Sequence, residues 1–437
     1  MTKTMVGLAR GKKRIRRLAF YAVAGLAVLG LAMSIALPIV LPVFHFPIPG
    51  GPYAMGTLTY HWVDANRPDI FRADSSARRE LIVQIWYPAK AGSPSSSPSP
   101  SARARYVEDA DALAKAFSRL KHLPLFVFAP LKYVTTNAIP GAPVADDRPN
   151  YPVLIFLEGA FGFRQMNTFQ VEALVSHGYI VAAIDQPYTA ASVVFPDGRQ
   201  VGALPLDQMM PLINQSYSPA GISPMLGGRA FDKGIVPYLA EDVSSTLNQL
   251  AQLNQVDPNA VLTGRLDLLR VGTFGVSLGG IVGSEACQTE PRLRACLFMD
   301  APMPVDVVKS GLQQPAMWIT RDTETMRLER RRSGGWSEAD ISEHQASMRA
   351  VFENLRGAGY FVQVPGMFHV NLTDIPYWSP LLPWLGVTGP IKAQRAHDII
   401  NVYSLAFFNR HFLGRAEGLL DGPASQYREV IFNARRS

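Results

Sequence analysis

Seven short runs of apolar and β-branched residues recur along the chain. They are LIVQIWYP (81–88), PVLIFL (152–157), YIVAAID (179–185), DLLRVGTFG (267–275), RACLFMD (294–300), PAMWIT (315–320) and YFVQVP (360–365). Each is too short for a helix and too continuously apolar for a strand with one wet face, so the pattern predicts buried strands of a parallel sheet. Between them the spacing predicts helices over 109–120, 165–177, 239–253, 278–287, 337–356 and 393–412. Alternating strands and helices imply an α/β domain around a mostly parallel sheet. The chain has 437 residues, enough for one large domain plus appendages.

A different pattern precedes this domain. Residues 18–44, LAFYAVAGLAVLGLAMSIALPIVLPVF, carry no Asp, Glu, Lys or Arg. Leu18 to Leu37 gives 20 residues before Pro38, or about 30 Å of helix, the thickness of a bilayer's hydrocarbon core. The first 17 residues hold seven Lys and Arg and no acid. This organisation predicts a basic cytoplasmic tail (1–17), a transmembrane helix as anchor (18–44) and an outward-facing domain (45–437). The rival expectation is a signal segment cleaved near Ser34-Ile35-Ala36, with secretion of the domain. The Pro- and Gly-rich stretch 45–56 reads as an irregular linker, and GSPSSSPSPSA (92–102) as a low-complexity surface loop.

Charge excludes one class of partner. Lys and Arg total 42 against 35 acids, so the formal +7 resides in the tail. The domain has no basic excess for nucleic acid. No metal-ligand cluster and no phosphate-binding loop stands out, so no cofactor and no metal are expected. The two cysteines, Cys287 and Cys296, read as buried free thiols, although an outward-facing domain permits a disulfide.

The candidate chemistry begins at GVSLGG (275–280), where a predicted strand meets a predicted helix. A serine between glycines at such a turn is lifted above the sheet edge, with a helix N-terminus beneath it. Ser277 is the candidate nucleophile, and its position implies an α/β-hydrolase sheet. A hydroxyl needs a base, and in the order Ser…acid…His the base follows the nucleophile. His344 falls inside a charged helix and reads as solvated. His397 and His411 fall in the last helix. His369 sits in a loop just past a strand and is the candidate base. The acid is Asp300 or Asp322, each at a strand end, and spacing does not choose between them. LPLFVFAPL (123–131) reads as a segment packed on the core, and RLERRRSGG (327–335) as a solvated charge run.

Several stretches resemble one family. GPYAMGTLTYHWVDANRPD (51–69), ELIVQIWYPA (80–89), GVSLGG, CLFMDAP (296–302) and GMFHVNLTD (366–374) are similar to bacterial relatives of platelet-activating factor acetylhydrolase of the plasma, isoform II type. The resemblance spans about 50–415. It implies Asp300 as the acid, in Met299-Asp300-Ala301-Pro302-Met303, and a histidine motif matched by Gly366, His369 and Asp374. It implies an oxyanion hole from the N–H groups of Leu278 and Ala160. The family's usual His-Gly is here Glu158-Gly159, and a carboxylate there would repel anionic substrates. The implied activity is that of a serine esterase, or lipase, acting on short or oxidised acyl chains at the sn-2 position of phospholipids. A broad carboxylesterase, polyester hydrolase or dienelactone-type hydrolase is the alternative, and a non-catalytic binding protein a third.

Overall fold

The computed structural model describes residues 2–90 and 102–436. All but the last residue of the expected loop at 92–102 lies outside them. Every strand and helix expected from the pattern is present, with ends shifted by a few residues. The ten-stranded sheet runs from β1 (Ala54–Pro68), β2 (Arg78–Ala89) and β3 (Ile139–Pro140) through β4 (Tyr151–Leu157) and β5 (Ile180–Asp185). Two small hairpins follow, of β6 (Ser192–Val194) with β7 (Gln200–Gly202), and β8 (Met225–Leu226) with β9 (Arg229–Ala230). The sheet resumes with β10 (Leu266–Val276), β11 (Leu293–Met299), β12 (Ala316–Thr320), β13 (Gly359–Gln363) and β14 (Ile431–Arg435). Its order is β14-β13-β12-β11-β10-β4-β5-β2-β1-β3. The run β13 to β5 is parallel throughout, and β14 and β2 pair antiparallel at its flanks. This is an α/β fold with a mostly parallel central sheet, consistent with the hydrolase architecture expected.

The strands are apolar on both faces because both faces are covered. Along β4, Leu154 and Phe156 join one core with α3 (Thr168–Ser176) and α10 (Ala393–Leu413). Val153, Ile155 and Leu157 join the other, with α5 (Val236–Gln255) and α6 (Leu278–Thr289). The period of two is that of any pleated strand.

Three expectations are corrected. Cys287 and Cys296 are not free thiols but a disulfide, with Cα atoms 6.7 Å apart. α6 packs on the face of β11 to which Cys296 points, which brings the pair within bridging reach. The stretch 45–56 is not a loose linker: Phe44 and Phe46 are buried against Tyr106 and Tyr377, and β1 begins at Ala54. In 123–131 Phe128 and Leu131 are buried and Val127 packs against the same core, while Leu123, Leu125 and Phe126 are exposed. The N-terminal helix α1 runs over Thr2–Val40, longer than expected and through Pro38. Its stretch Phe20–Val40 is long and apolar enough to cross a membrane and is not buried in the domain.

Candidate active site

β10 ends at Val276, and the chain reverses into α6 through Ser277, whose φ is +57°. A left-handed φ on a non-glycine residue is strained and persists only where its surroundings hold it. Here the Ser277 N–H donates to the Met299 carbonyl on β11 at 2.9 Å. The turn also requires Gly279: a Cβ there would sit 2.0 Å from the Leu157 carbonyl oxygen. That close approach brings α6 against the loop leaving β4. A Cβ on Gly159 in that loop would lie 3.8 Å from Ser277 Oγ, so the hydroxyl stands beside it. The next residue, Ala160, is the expected donor. Among the described residues, the N–H groups of Leu278 and Ala160 find no acceptor in the protein.

Asp300 follows β11 directly and is itself at φ +48°. Its Oδ2 accepts from His369 Nδ1 at 2.5 Å. His369 opens a 3-10 turn, His369–Leu372, after β13. The turn is pinned from behind: Asp374 accepts the Thr168 and Phe169 N–H groups at 2.8 and 3.1 Å. Burial raises the Asp374 pKa well above its usual range, and these two bonds at the first turn of α3 act against that rise. The structure thus joins Asp300 to His369 and sets Ser277 beside Gly159, the residue before Ala160. The Ser277 hydroxyl makes no hydrogen bond to His369 here. Such contacts are often long before substrate binds and close in the complex.

Asp322 is excluded as the partner of His369. It caps α8 (Thr323–Ser333), accepting from the Thr325 N–H at 2.9 Å and hydroxyl at 2.7 Å. The stretch 327–335 belongs largely to that helix, with Glu329 buried. His344 corrects a second expectation. It lies in α9 (Glu338–Asn354), is buried rather than solvated, and its Nε2 is 3.2 Å from Asp300 Oδ1. The helix carries few other buried residues, so its charged neighbours concealed an inward-facing histidine.

Further groups surround Asp300. The Thr320 hydroxyl donates to Oδ1 at 2.8 Å. The buried Arg321 places Nε 2.7 Å from Oδ2, an ion-pair contact rather than an aligned hydrogen bond. Arg321 Nη1 also donates to Glu329, whose Oε2 accepts the backbone N–H of His369 at 3.1 Å. Trp336 covers the cluster, with ring centres 5.3 Å from His344 and 6.2 Å from His369 and with Arg321 over its face. Burial alone would raise the Asp300 pKa, but Arg321 and the two imidazoles outweigh it and hold the carboxyl well below its usual range. Burial holds His344 below the ordinary histidine value, so it is the neutral Nε2–H donor. Nothing in sequence spacing distinguishes Arg321, Glu329 or Trp336 from surface residues.

His397 and His411 are structural. Burial lowers both to about 4; His397 bonds the Thr373 carbonyl and stacks on Phe169. Glu158 does not face substrate as expected. It is buried, its Oε1 accepts the Gln186 N–H at 2.9 Å, and burial beside Asp185 raises its pKa well above normal. Phe163 is core, whereas Phe161, next to Ala160, lines a cavity of about 540 Å3 with Ala116, Leu120, Leu204 and Leu206. Among the described residues, no group of His, Cys, Asp and Glu is arranged to hold a metal ion.

Comparison with known proteins bears out the family resemblance read from the sequence. The family described as platelet-activating factor acetylhydrolase, isoform II, matches residues 44–208. A probable 1-alkyl-2-acetylglycerophosphocholine esterase of Arthroderma benhamiae is 24% identical over 306 residues, 65% of this chain and 67% of that protein. The platelet-activating factor acetylhydrolase of Gallus gallus is 22% identical over 315 residues, 66% of this chain and 70% of that one. Among solved structures, a ferulic acid esterase from Streptomyces cinnamoneus aligns with a TM-score of 0.67 and 27% identity. It covers 89% of this chain and 99% of its own.

Proposed function

We propose that this chain, a relative of the isoform II platelet-activating factor acetylhydrolases by the likeness just described, is a carboxylic ester hydrolase of the serine type. The observation that carries the reading is the strained Ser277 on its elbow, in a chain that also forms an Asp300–His369 pair. In the reaction, Ser277 Oγ attacks the ester carbonyl carbon while His369 Nε2 takes the hydroxyl proton. The oxyanion that forms is held by the Leu278 and Ala160 N–H groups. Collapse breaks the carbonyl–alkoxy bond, and the imidazolium protonates the departing alcohol. A water then attacks the acyl-serine, with His369 again as base, and releases the acid and free serine. Asp300 stays ionised throughout and accepts the Nδ1–H, fixing the tautomer.

The proposed substrate is an ester with a short or oxidised acyl chain, at sn-2 of a phospholipid, in keeping with the names of the relatives. The cavity that Phe161 lines, where Leu120, Leu204 and Leu206 meet Arg119 and Gln200, is proposed to take one arm of such an ester. The likeness to a ferulic acid esterase favours a second reading, a broader carboxylesterase taking aromatic or simple esters. Purified full-length protein assayed on short-chain sn-2 phospholipids, p-nitrophenyl esters and feruloyl esters separates the two. Turnover of simple esters with no phospholipid cleavage rejects the first.

The placement proposed is a single-pass membrane protein with a cytoplasmic tail and an external domain. The apolar stretch Phe20–Val40, the basic flank and the disulfide support it. Protease accessibility of the domain from outside intact cells tests it.

A further inference from the structure

A backbone donor serves an oxyanion only as well as its loop is fixed, because the donor must be aimed before charge develops. Ala160, the second proposed donor, stands in the loop between β4 and α3, directly after Gly159 and two residues before Gly162. Its neighbour Phe161 is at φ +59°, a strained value for a non-glycine residue. Such a conformation persists only where its surroundings impose it.

The loop that follows β5 imposes it. The Phe161 N–H donates to the Thr189 carbonyl, and the Ala191 N–H to the Gly162 carbonyl, each at 2.8 Å. On the other side of Ala160, the Gln186 N–H donates to Glu158 Oε1 at 2.9 Å. The two loops are thus joined both before and after the donor.

One side chain locks the far end of this pairing. The Arg164 backbone N–H donates to Asp185 Oδ1 at 2.6 Å, and its Nη1 donates to Asp185 Oδ2. Nη2 donates to Glu108 Oε2 at 2.6 Å, and Nε to Gln84 Oε1 on β2 at 3.3 Å. The three guanidinium nitrogens therefore hold three separate parts of the chain. Glu108 stands just before α2 (Ala110–Lys121), whose Ala116 and Leu120 line the cavity with Phe161.

Arg164 and Asp185 are both buried. Burial raises the Asp185 pKa, and Arg164 opposes that rise. Taking two charges out of water costs about as much as their pairing recovers, so stability alone is a weak reason for such a pair. Geometry is a stronger one, because the arginine fork fixes direction as well as distance.

We propose that Arg164, gripped by Asp185, is a positioning residue for the Ala160 N–H. It clamps the loop at 158–164 to the loop after β5, so that the donor is aimed before an ester arrives. It acts through the backbone and not on the ester itself. This rests on the serine-esterase reading above.

The test uses the full chain beside Arg164→Lys and Asp185→Asn. Lysine keeps the charge without the fork. Asparagine offers one oxygen, for the Arg164 N–H or for the guanidinium but not for both. Turnover of a p-nitrophenyl ester is expressed per serine labelled to completion by a fluorophosphonate. The second readout is the affinity of an alkyl trifluoromethyl ketone. Ser277 Oγ adds to its carbonyl carbon, the hydroxyl proton passes to His369, and the alkoxide lies where the oxyanion would. Arg164→Lys is expected to lower kcat per labelled serine about tenfold, with KM within about twofold. Ketone affinity is expected to fall by the same factor, and Asp185→Asn to show about a third of the effect on both readouts. Where Arg164→Lys fails to fold, Asp185→Asn decides alone. A loss that vanishes once labelled serines are counted is a folding defect and overturns the proposal. So does a fall in kcat with ketone affinity unchanged. A parent chain with neither turnover nor labelling rejects the esterase reading, and the proposal with it. An active, labelled parent with unaffected variants overturns the proposal alone.

Discussion

The Nε2 of His344 lies 3.2 Å from Asp300 Oδ1, on the opposite side of the carboxylate from His369. One buried aspartate therefore serves two imidazoles. Only His369 is partly exposed, and His344 is sealed beneath Trp336. The inner imidazole is a fixed clamp on Oδ1, leaving Oδ2 to the candidate base His369.

His344→Leu removes a hydrogen bond to a buried charge. The expected result is a fall in kcat of about tenfold or more with KM nearly unchanged. His344→Asn, whose amide N–H still reaches for Oδ1, is expected to recover most of that loss. Steady-state kinetics of the two variants on a soluble ester checks both.

The depressed pKa of Asp300 has a sign that can be measured. A carboxylate held below its unfolded value stabilises the fold at every pH above that value, about 3.9. The contribution fades only as pH falls through the folded value. Asp300→Asn also leaves the buried Arg321 with Glu329 as its remaining ion-pair partner. The melting-temperature gap between parent and Asp300→Asn is expected to be flat from neutral pH down to about 4 and to narrow only below it. A gap that closes between pH 7 and 5 contradicts the assignment.

Glu158→Gln is expected to change kcat/KM on anionic and neutral esters by less than about twofold. The side chain is buried with its Oε1 held by the Gln186 N–H, and burial raises its pKa, so an amide can take the same place. A marked gain for anionic esters alone would show a charged Glu158 facing substrate.

The bridge between Cys287 and Cys296 closes a short loop across α6 and β11, the elements that deliver Ser277 and Asp300. Replacing both cysteines with serine is expected to cost about 2–3 kcal/mol of stability. The kcat below the melting transition should stay close to that of the parent, because neither sulfur reaches the site. Thermal melts paired with assays check this.

The fold was legible because its strands are apolar on both faces and its candidate nucleophile, Ser277, sits among glycines. Periodicity gave β4, β5 and β10 to β13 nearly to the residue. It missed β1 because the stretch opens among Pro and Gly, and α8 because three consecutive arginines mask a buried Glu329. Ser277 and His369 follow from position alone. Asp300 needed the family resemblance, since Asp322 stands at an equivalent strand end until its capping bond is seen. His344 was misread because an inward histidine with hydrophilic neighbours has no periodic signature. The disulfide was misread because pairing depends on which face of β11 each helix covers.

The central claim is that Ser277 is the activated nucleophile. Purified full-length protein treated with a fluorophosphonate, digested and mapped by mass spectrometry tests it most directly. One stoichiometric adduct is expected, on Ser277, with loss of ester turnover in proportion to labelling and no adduct on Ser277→Ala. Full turnover by Ser277→Ala, or labelling of a different serine that tracks the loss of activity, would contradict it.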